Sequence, residues 1–188
     1  NIGLQDIGVQ FKNGSISINN YCQTNISNIY AIGDVAGPPW LAHKASAQGH
    51  MVADLICGKR VNEIDYLNVP NCTYCQPQVA SLGLTESKAK DLGHNIKVGK
   101  FFFRASGKAM AVGNTFGFVK LIFDDRYGEL IGAHIIGDGA TEMIAELNLA
   151  KALESTWEDL AMTMHAHPTL SEAVMEAAMD AFGSAIHQ

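Results

Sequence analysis

The sequence predicts an α+β fold, and three observations support this class. Residues 97–104, 116–123 and 129–136 are each predicted to form a strand, and no helical pattern interrupts the series. Residues 124–128, Asp-Asp-Arg-Tyr-Gly, favour a hairpin turn between the second and third of these strands. Helical patterns then follow the strands instead of alternating with them, which is typical of an antiparallel sheet with helices packed on it.

The first third of the chain has a different organisation. Residues 16–18 and 29–32 are short strand candidates. The second candidate leads through Gly33 and a Gly-Pro-Pro turn into a helix that is predicted over residues 41–56. One face of this helix carries small residues, so we expect it to pack closely against a sheet or a ligand.

The boundary between the two parts is predicted near residues 60–68, so that residues 1–64 form one part and residues 65–188 the other. After the boundary we expect a short helix over residues 85–93, which ends at a glycine. Three helices are expected after the strands, over residues 140–153, 157–164 and 171–182.

Composition argues against two classes of partner. The chain has 188 residues, is 47% hydrophobic and carries a formal net charge of −6, from 13 basic and 19 acidic side chains. This balance provides no basic stripe for nucleic acid and no polybasic segment for a membrane surface. The apolar runs are also shorter than the roughly 18 to 20 residues of a transmembrane helix. We therefore expect neither nucleic acid nor a membrane as a partner.

The four cysteines indicate a reducing compartment rather than a disulfide framework. Cys72 and Cys75 have the Cys-x-x-Cys spacing of a redox pair or of half a zinc site. They lie in a segment that is predicted to be extended, where a three-residue offset sends two side chains to opposite faces. No helix N-terminus that would activate a thiol is evident there, so we expect no dithiol chemistry.

The segment with the most chemical information is His-Ala-His-Pro-Thr-Leu-Ser-Glu, residues 165–172. A histidine has an ordinary pKa of about 6.5, so a nearby carboxylate can poise it to exchange protons near neutrality. Pro168 biases the backbone of His167 toward extended conformations and so stiffens its approach to the next helix. Glu172 follows in the first turn of that helix, close enough in sequence to fold back toward His167. The segment therefore predicts an acid/base pair.

Two other interpretations of this segment stay open. Thr169 and Glu172 fit a capping box, in which both side chains satisfy backbone N–H groups at a helix start without any catalysis. His165 and His167 could bind a metal, but two imidazoles without further ligands at suitable spacing make a weak zinc motif, and we predict no metal site. The other histidines that we considered are expected to be ordinary surface or sheet residues: His50, His94, His134 and His187.

A second candidate site lies at Asp34. A carboxylate at the carboxyl end of a buried strand can accept hydrogen bonds from ligand hydroxyls, as acidic residues do for ribose in dinucleotide-binding folds. The predicted helix start near residues 41–43 would present N–H groups to an electron-rich ligand. The alternative is that Asp34 and the prolines only form a strand-to-helix turn.

Four stretches of the chain resemble, in the same order, the motifs of one known family. Residues 28–35 resemble its second flavin-binding motif, and residues 37–45 resemble the turn and helix start after that motif. Residues 131–137 and 142–144 resemble the strand and helix of its dimer-forming domain, and residues 165–172 its C-terminal signature. The family is that of the flavin-dependent pyridine nucleotide-disulfide oxidoreductases, and the last stretch favours its dihydrolipoamide-oxidising branch.

The resemblance implies a C-terminal dimerisation domain with an antiparallel sheet and helices, preceded by a C-terminal remnant of the α/β FAD-binding domain. It implies that His167 is the general acid/base for the thiol protons of dihydrolipoamide, and that Glu172 orients and stabilises it. Asp34 would hold the ribityl chain of FAD. The residues at the helix start would face the flavin, namely Trp40, Leu41, Ala42 and His43. In a homodimer, the acid/base pair would act in the site of the partner subunit.

The resemblance also implies what the complete protein would need. Its cofactors would be FAD and NAD, and its partners would be components of a 2-oxo acid dehydrogenase complex, in the cytoplasm or in the mitochondrial matrix of a eukaryote. The chain lacks the family's Gly-x-Gly-x-x-Gly fingerprint, its redox-active cysteine pair and its pyridine-nucleotide domain. We therefore expect a C-terminal part that is inactive alone and lacks both cofactors. The apolar faces of residues 1–64 should be exposed or find another partner, and we expect this segment to be disordered, rearranged or buried in a contact with another molecule.

Two alternatives stay open at this point. One is a related flavin reductase of the glutathione or mercuric reductase type. The other is a dimerisation module without catalysis, which would not need Asp34 or the His167–Glu172 pair.

Overall fold

A computed structural model describes residues 2–187, and it divides the chain into two compact units, one up to Tyr66 and one from Leu67 onward. The first unit contains a small hairpin of β1 (Phe11–Lys12) and β2 (Ser15–Ile16), which pair antiparallel. A 3-10 turn at Gly33–Ala36 precedes the helix α1 (Ala42–Ile56). The predicted helix is thus confirmed to within one residue at its start.

The first unit has little apolar core. Its two clusters of buried side chains centre on Val9, Ile16 and Ala31 and on Cys22, Met51 and Val52. Several large apolar side chains of this unit are exposed, as the sequence predicted, among them Ile32, Val35, Trp40 and Ile56.

The strand predicted over residues 29–32 is wrong. Only Tyr30 makes a bridge, to Gln23, and no other strand of the described residues pairs with this segment. A strand needs neighbours to accept and donate its backbone hydrogen bonds, so an apolar sequence alone does not make one.

The second unit is built on a five-stranded antiparallel sheet in the order β3-β4-β7-β6-β5. Its strands are β3 (Asn71–Thr73), β4 (Gln78–Gly83), β5 (Ile96–Phe102), β6 (Gly117–Asp124) and β7 (Leu130–Gly137). Its helices are α2 (Glu86–Asp91), α3 (Gly107–Val112), α4 (Ala140–Ala152), α5 (Trp157–Met162) and α6 (Glu172–Asp180). The α+β class, the three predicted strands and the predicted helices are confirmed.

The two faces of the sheet differ in what covers them. Alternate residues of a strand face opposite sides. On one side, Leu121 and Phe123 of β6 join a large core with side chains of α4 and α6. On the other side, Ile122 packs with Leu84 and with Ala89 of α2. The sheet thus holds α6, which carries the predicted acid/base glutamate, on its well-buried face.

The ends of several predicted elements need correction. Helices α2, α5 and α6 each end two residues earlier than predicted, at Asp91, Met162 and Asp180, and α6 begins at Glu172 rather than at residue 171. The strand predicted over residues 97–104 ends at Phe102, because residues 103–105 form a 3-10 turn. The residues between α5 and α6 form an irregular loop, 163–171, that contains both histidines of the signature segment. Among residues 2–187, no helix combines the length and the apolar composition that crossing a membrane requires.

Candidate active site

The loop 163–171 is held at the start of α6 by one of its own side chains and by one of the helix. The Thr169 hydroxyl donates to the carbonyl of Ala166 (2.7 Å), and the Thr169 N–H donates to Oε2 of Glu172 (2.8 Å). These two hydrogen bonds restrain the backbone on both sides of Pro168. The backbone on either side of His167 is therefore well defined.

His167 and Glu172 are brought together, as the sequence predicted. Nδ1 of His167 lies 2.8 Å from Oε1 of Glu172, and the imidazole side chain is 77% exposed. An ionised carboxylate only accepts hydrogen bonds, so the proton of the neutral imidazole lies on Nδ1 and Nε2 has a free lone pair. The exposed ring can therefore accept a proton at Nε2 from a molecule that reaches it.

Glu172 is kept ionised by its neighbours. Burial raises the pKa of its carboxyl group, but hydrogen bonds from the Thr169 N–H and the His167 imidazole outweigh burial, and the pKa lies below its ordinary value. A carboxylate in this state stabilises the imidazolium that forms when His167 takes up a proton.

The capping-box interpretation is half right. The Glu172 carboxylate does accept from the Thr169 N–H, but the Thr169 hydroxyl turns to Ala166 instead of capping the helix. One carboxylate oxygen thus supports the helix start while the other holds His167. The two interpretations are compatible, because a carboxylate has enough lone pairs for both.

His165 does not join His167 in a metal site. Its imidazole is 5% exposed, Nε2 lies 2.7 Å from Oε1 of Glu146 in α4, and Nδ1 lies 2.9 Å from the carbonyl of Thr163. The hydrogen bond to Glu146 raises the pKa of His165 against the opposing effect of burial. Across residues 2–187, no three or more His, Cys, Asp or Glu side chains form a group that could bind a metal.

A cavity of about 280 Å³ lies beside the acid/base pair. Apolar side chains contribute to its wall, including Phe101, Met110 and Met175. Two further titratable residues line it that the sequence had not indicated as functional, Glu176 and His187. Glu176 could have been suspected, because it lies four residues after Glu172 and so on the same face of a helix.

His187 lies at the surface, as expected, with its side chain 68% exposed. It also has a partner that was not expected, because its Nδ1 lies 2.5 Å from Oε1 of Glu176. No local pattern in the sequence indicates this contact, because it depends on how the chain turns after α6. The expectations for His94 and His134 are met: His94 pairs with Asp124 at the surface, and His134 bonds to the carbonyl of Leu84 within the sheet.

The candidate cofactor residues lie in the first unit. Asp34 is exposed, but it sits in the 3-10 turn at Gly33–Ala36 and not at the end of a strand, since residues 29–32 form none. Helix α1 begins at Ala42, and its N-cap, Leu41, makes no side-chain capping bond. Trp40 is exposed and lines a cavity of about 450 Å³. His43 is exposed in the first turn of the helix.

Two buried polar side chains of α1, which sequence reasoning missed, hold this turn. Nζ of Lys44 donates to the carbonyls of Gly33 (3.1 Å) and Gly37 (2.6 Å), at the two ends of the turn. Oε1 of Gln48 accepts from the Gly33 N–H at 2.8 Å. A lysine within an amphipathic helix is usually exposed, so its burial could not be foreseen from the pattern.

The Cys-x-x-Cys spacing does not form a dithiol site. Cys72 lies in β3, and burial raises the pKa of its thiol. Cys75 lies beyond the end of the strand, is exposed, and donates to the carbonyl of Pro77 at 3.0 Å. All four cysteines are free thiols.

Comparison with known proteins identifies the class of this fold and site. A family model described as the dimerisation domain of pyridine nucleotide-disulphide oxidoreductases matches residues 69–178, and a model described as pyridine nucleotide-disulphide oxidoreductase matches residues 1–49. The chain belongs to the pyridine nucleotide-disulfide oxidoreductases, and the predicted family is confirmed.

The most similar relatives include dihydrolipoyl dehydrogenases. The chain is 50% identical to dihydrolipoyl dehydrogenase of Rhizobium etli, over 100% of this chain and 39% of that protein. It is 48% identical to dihydrolipoyl dehydrogenase of Zymomonas mobilis, over 100% of this chain and 40% of that protein. The chain thus spans about two fifths of the length of the curated relatives it matches.

Solved structures agree on the fold. LpdA from Mycobacterium tuberculosis matches with a TM-score of 0.88 at 27% identity, over 94% of this chain and 39% of that chain. The flavoprotein disulfide reductase RclA from Escherichia coli, which is described as HOCl-induced, matches with a TM-score of 0.86 at 24% identity. That match covers 93% of this chain and 41% of RclA, and it shows the fold alone.

Proposed function

We propose that this chain is the C-terminal part of a dihydrolipoyl dehydrogenase, inactive alone, that supplies the acid/base pair, part of the FAD site and the dimer interface. The observation that carries the proposal is the contact of 2.8 Å between His167 and Glu172, with the imidazole exposed. Relatives of that name, which match the chain over its whole length at 48–50% identity, support the same function.

In the proposed reaction, Nε2 of His167 accepts the proton of a thiol of dihydrolipoamide. The thiolate that results is the form that attacks a disulfide. Conversion of the dithiol to a cyclic disulfide releases two protons and two electrons, and His167 takes up thiol protons while Glu172 stabilises the charged ring. When bound, the flavin supplies the electron relay between a redox-active disulfide and NAD.

The exposed segment around Asp34 fits part of an FAD site. The Asp34 carboxylate accepts hydrogen bonds and is open to ligand hydroxyls, such as those of a ribityl chain. Trp40, Leu41, Ala42 and His43 would lie along the flavin at the start of α1. None of the described residues is proposed to bind NAD, whose site we assign to the rest of the complete protein.

The proposed partners follow from the same assignment. The chain would form a homodimer through its dimerisation domain, and the complete enzyme would serve a 2-oxo acid dehydrogenase complex. We place it in the cytoplasm, or in the mitochondrial matrix of a eukaryote, since exposed free thiols such as those of Cys57 and Cys75 suit a reducing compartment.

The test is a pair of substitutions in the full-length flavoprotein that contains this chain. In His167→Gln, turnover of dihydrolipoamide and NAD should fall by about 10²- to 10⁴-fold, the usual contribution of general acid–base catalysis. The flavin-to-protein ratio, read from the visible absorption spectrum, should stay at the wild-type value. His94→Gln is the matched control, because His94 also pairs with a carboxylate but lies outside the cavity.

The outcomes separate the alternatives. Normal turnover in His167→Gln would contradict the assignment of the acid/base residue. A flavoprotein that reduces glutathione disulfide or a metal ion but does not oxidise dihydrolipoamide would identify a related reductase. A chain whose gene encodes no flavin-binding region upstream would be a dimerisation module instead.

A further inference from the structure

The chain reverses direction after α6. Phe182 stacks on Trp157, with ring centroids 4.4 Å apart and ring planes at 16°, which fixes the end of the helix. Gly183 then adopts a φ of +73°, a conformation that favours glycine, and the Ser184 N–H donates to the carbonyl of Met179 at 3.0 Å. Residues 184–187, which we call the tail, therefore turn back toward Glu176 of α6.

A buried carboxylate anchors the tail. The side chain of Glu176 is 3% exposed. Its Oε2 accepts from the N–H groups of Ile186 (3.1 Å) and His187 (3.2 Å), and its Oε1 faces Nδ1 of His187. Burying a carboxylate is costly unless hydrogen bonds replace its hydration. All three of these donors come from the tail, so burial of Glu176 and docking of the tail depend on each other.

The docked tail separates two cavities. His187 lines the cavity that contains His167 and Glu172. It also lines a second cavity of about 330 Å³, whose wall includes Lys100, Arg104 and Asp180. Phe101 and Ala105 line both cavities as well. His187, whose side chain is 68% exposed, therefore forms the outer part of the boundary between the space beside the acid/base pair and a cavity with charged side chains in its wall.

We infer that Glu176 is a positioning residue that fastens the tail, so that His187 forms a wall of the substrate space beside His167. This inference rests on the proposed function and extends it to how the substrate is held. The wall confines an uncharged aliphatic dithiol against Phe101, Met110 and Met175. Without the wall, the substrate would bind more weakly, while the chemistry at His167 would be unchanged.

The experiment uses the full-length flavoprotein with three substitutions. Glu176→Gln weakens the acceptor, His187→Ala removes the wall from an exposed tail without touching the core, and His187→Asn keeps a side-chain donor for Glu176. Glu158→Gln, at an exposed glutamate in α5, is the matched control. The readouts are hydrogen exchange of the C-terminal peptide, and KM and kcat for dihydrolipoamide.

In Glu176→Gln and His187→Ala, exchange in the tail should accelerate by about tenfold or more, as expected for loss of local protection. KM should rise by about 3- to 10-fold with kcat within about twofold, the signature of lost binding that is equal in the ground and transition states. His187→Asn should recover at least part of both effects, and Glu158→Gln should show neither.

Faster exchange with an unchanged KM would overturn the role of the wall, and unchanged exchange would overturn the anchor itself. A fall in kcat as large as that of His167→Gln would also contradict a positioning role. If the wild-type protein does not oxidise dihydrolipoamide, the proposed function is wrong, and so is the role of His187 in binding that substrate. The hydrogen-exchange measurement would still show whether Glu176 anchors the tail.

Discussion

Glu172 shows how one residue can serve both the fold and the candidate chemistry. Its Oε2 accepts a hydrogen bond from the N–H of Thr169, and its Oε1 pairs with the imidazole of His167, at 2.8 Å each. Substitution of Glu172 would therefore disturb the helix start as well as the acid/base pair. A loss of activity in such a variant alone would not separate the two effects, which is why His167, whose side chain is exposed, is the better residue to test.

The same pair shows which contacts a sequence can predict. His167 and Glu172 are five residues apart, and the proline and the helix start between them leave few ways to place the chain. His165 and Glu146 are 19 residues apart, and Glu176 meets His187 only after a reversal of the chain. Such partners depend on the packing of separate elements, so no local pattern indicates them.

The stability of the second unit is predicted to require glycine at position 99 in β5, because no side chain fits there. A Cβ atom at this position would overlap the backbone carbonyl of Ala177 and lie 2.6 Å from the N of Ala181, both on the α6 segment. Gly99→Ala should therefore push α6 from the sheet and destabilise the second unit by about 1–3 kcal/mol or more, the usual cost of overpacking. Urea unfolding measures this.

Gly107→Ala provides the control for that prediction. Nothing lies within 4 Å of a Cβ atom at Gly107, which starts α3, and its φ is not positive. Since alanine favours helix over glycine by up to about 1 kcal/mol, this variant should be as stable as the parent or more so. Equal stability of the two variants would show that α6 does not approach β5 as closely as described.

At the scale of elements, prediction succeeded where hydrophobic periodicity and turn residues agree. Strands β5 to β7 and helix α1 combine clear apolar patterns with glycine or aspartate at or near their ends. Strand β4 was missed because its sequence, Gln-Val-Ala-Ser-Leu-Gly, has small and polar residues that acquire strand character only by pairing with β7. Helix α3 was missed because it begins with a glycine.

The turn at Gly33–Ala36 is predicted to depend on the buried amine of Lys44. Lys44→Met would leave the carbonyls of Gly33 and Gly37 without this donor, which should destabilise the first unit by about 1–3 kcal/mol. If Asp34 binds FAD as we propose, the full-length protein should also retain less flavin, because the turn would no longer hold Asp34 in place. Hydrogen exchange at the turn and the flavin-to-protein ratio are the measurements.

Lys59→Met is the matched lysine variant. Lys59 is exposed and pairs with Asp54 at the surface, so its removal should cost no more than about 1 kcal/mol. If both lysine variants retain the parent's flavin content and exchange rates, the turn does not need Lys44.

The bridge between α4 and the loop 163–171 should make stability depend on pH. The folded protein raises the pKa of His165 through its hydrogen bond to Glu146. A group with a raised pKa stabilises the fold fully below its unfolded value, about 6.5, and this contribution is lost as pH rises through the folded value. Wild-type protein should therefore lose more stability between pH 6 and pH 8.5 than Glu146→Gln, in which the partner carboxylate is gone.

The comparison of wild type with Glu146→Gln isolates the contribution of the His165–Glu146 pair to the free energy of unfolding. Burial lowers the pKa of His134, so His134 contributes with the opposite sign, losing stability as pH falls below about 6.5. That contribution is the same in both proteins and cancels in the difference. Urea unfolding at the two pH values is the measurement, with Glu158→Gln as a control that should behave as wild type. Parallel pH profiles for wild type and Glu146→Gln would rule out the bridge.

At the scale of the whole molecule, exposed apolar side chains are the clearest sign that parts of this chain pack against other protein surfaces. In the first unit, Trp40 and Ile56 are largely exposed. In the second unit, Met162 and Met164 are the most exposed large apolar residues among those described, with Met164 97% exposed. Isolated exposed apolar residues are common, but one of these methionines lies in the loop that carries His167 and the other directly precedes it, which indicates a covered surface.

The proposed homodimer predicts what covers Met164. If His167 acts in the site of the partner subunit, the residues beside it must lie near the subunit interface. Met164→Glu would bury a charge there, so the dimer of the full-length protein should weaken by at least about tenfold in Kd, or about 1.4 kcal/mol, as measured by sedimentation velocity over a range of concentrations. Activity should fall with the fraction of dimer, because the proposed site uses residues of both subunits.

Leu92→Glu places the same charge at an exposed leucine next to α2, on the opposite face of the sheet from α6, and should leave the dimer intact. A dimer equally stable in both variants would place Met164 outside the interface and would require His167 to act within its own subunit.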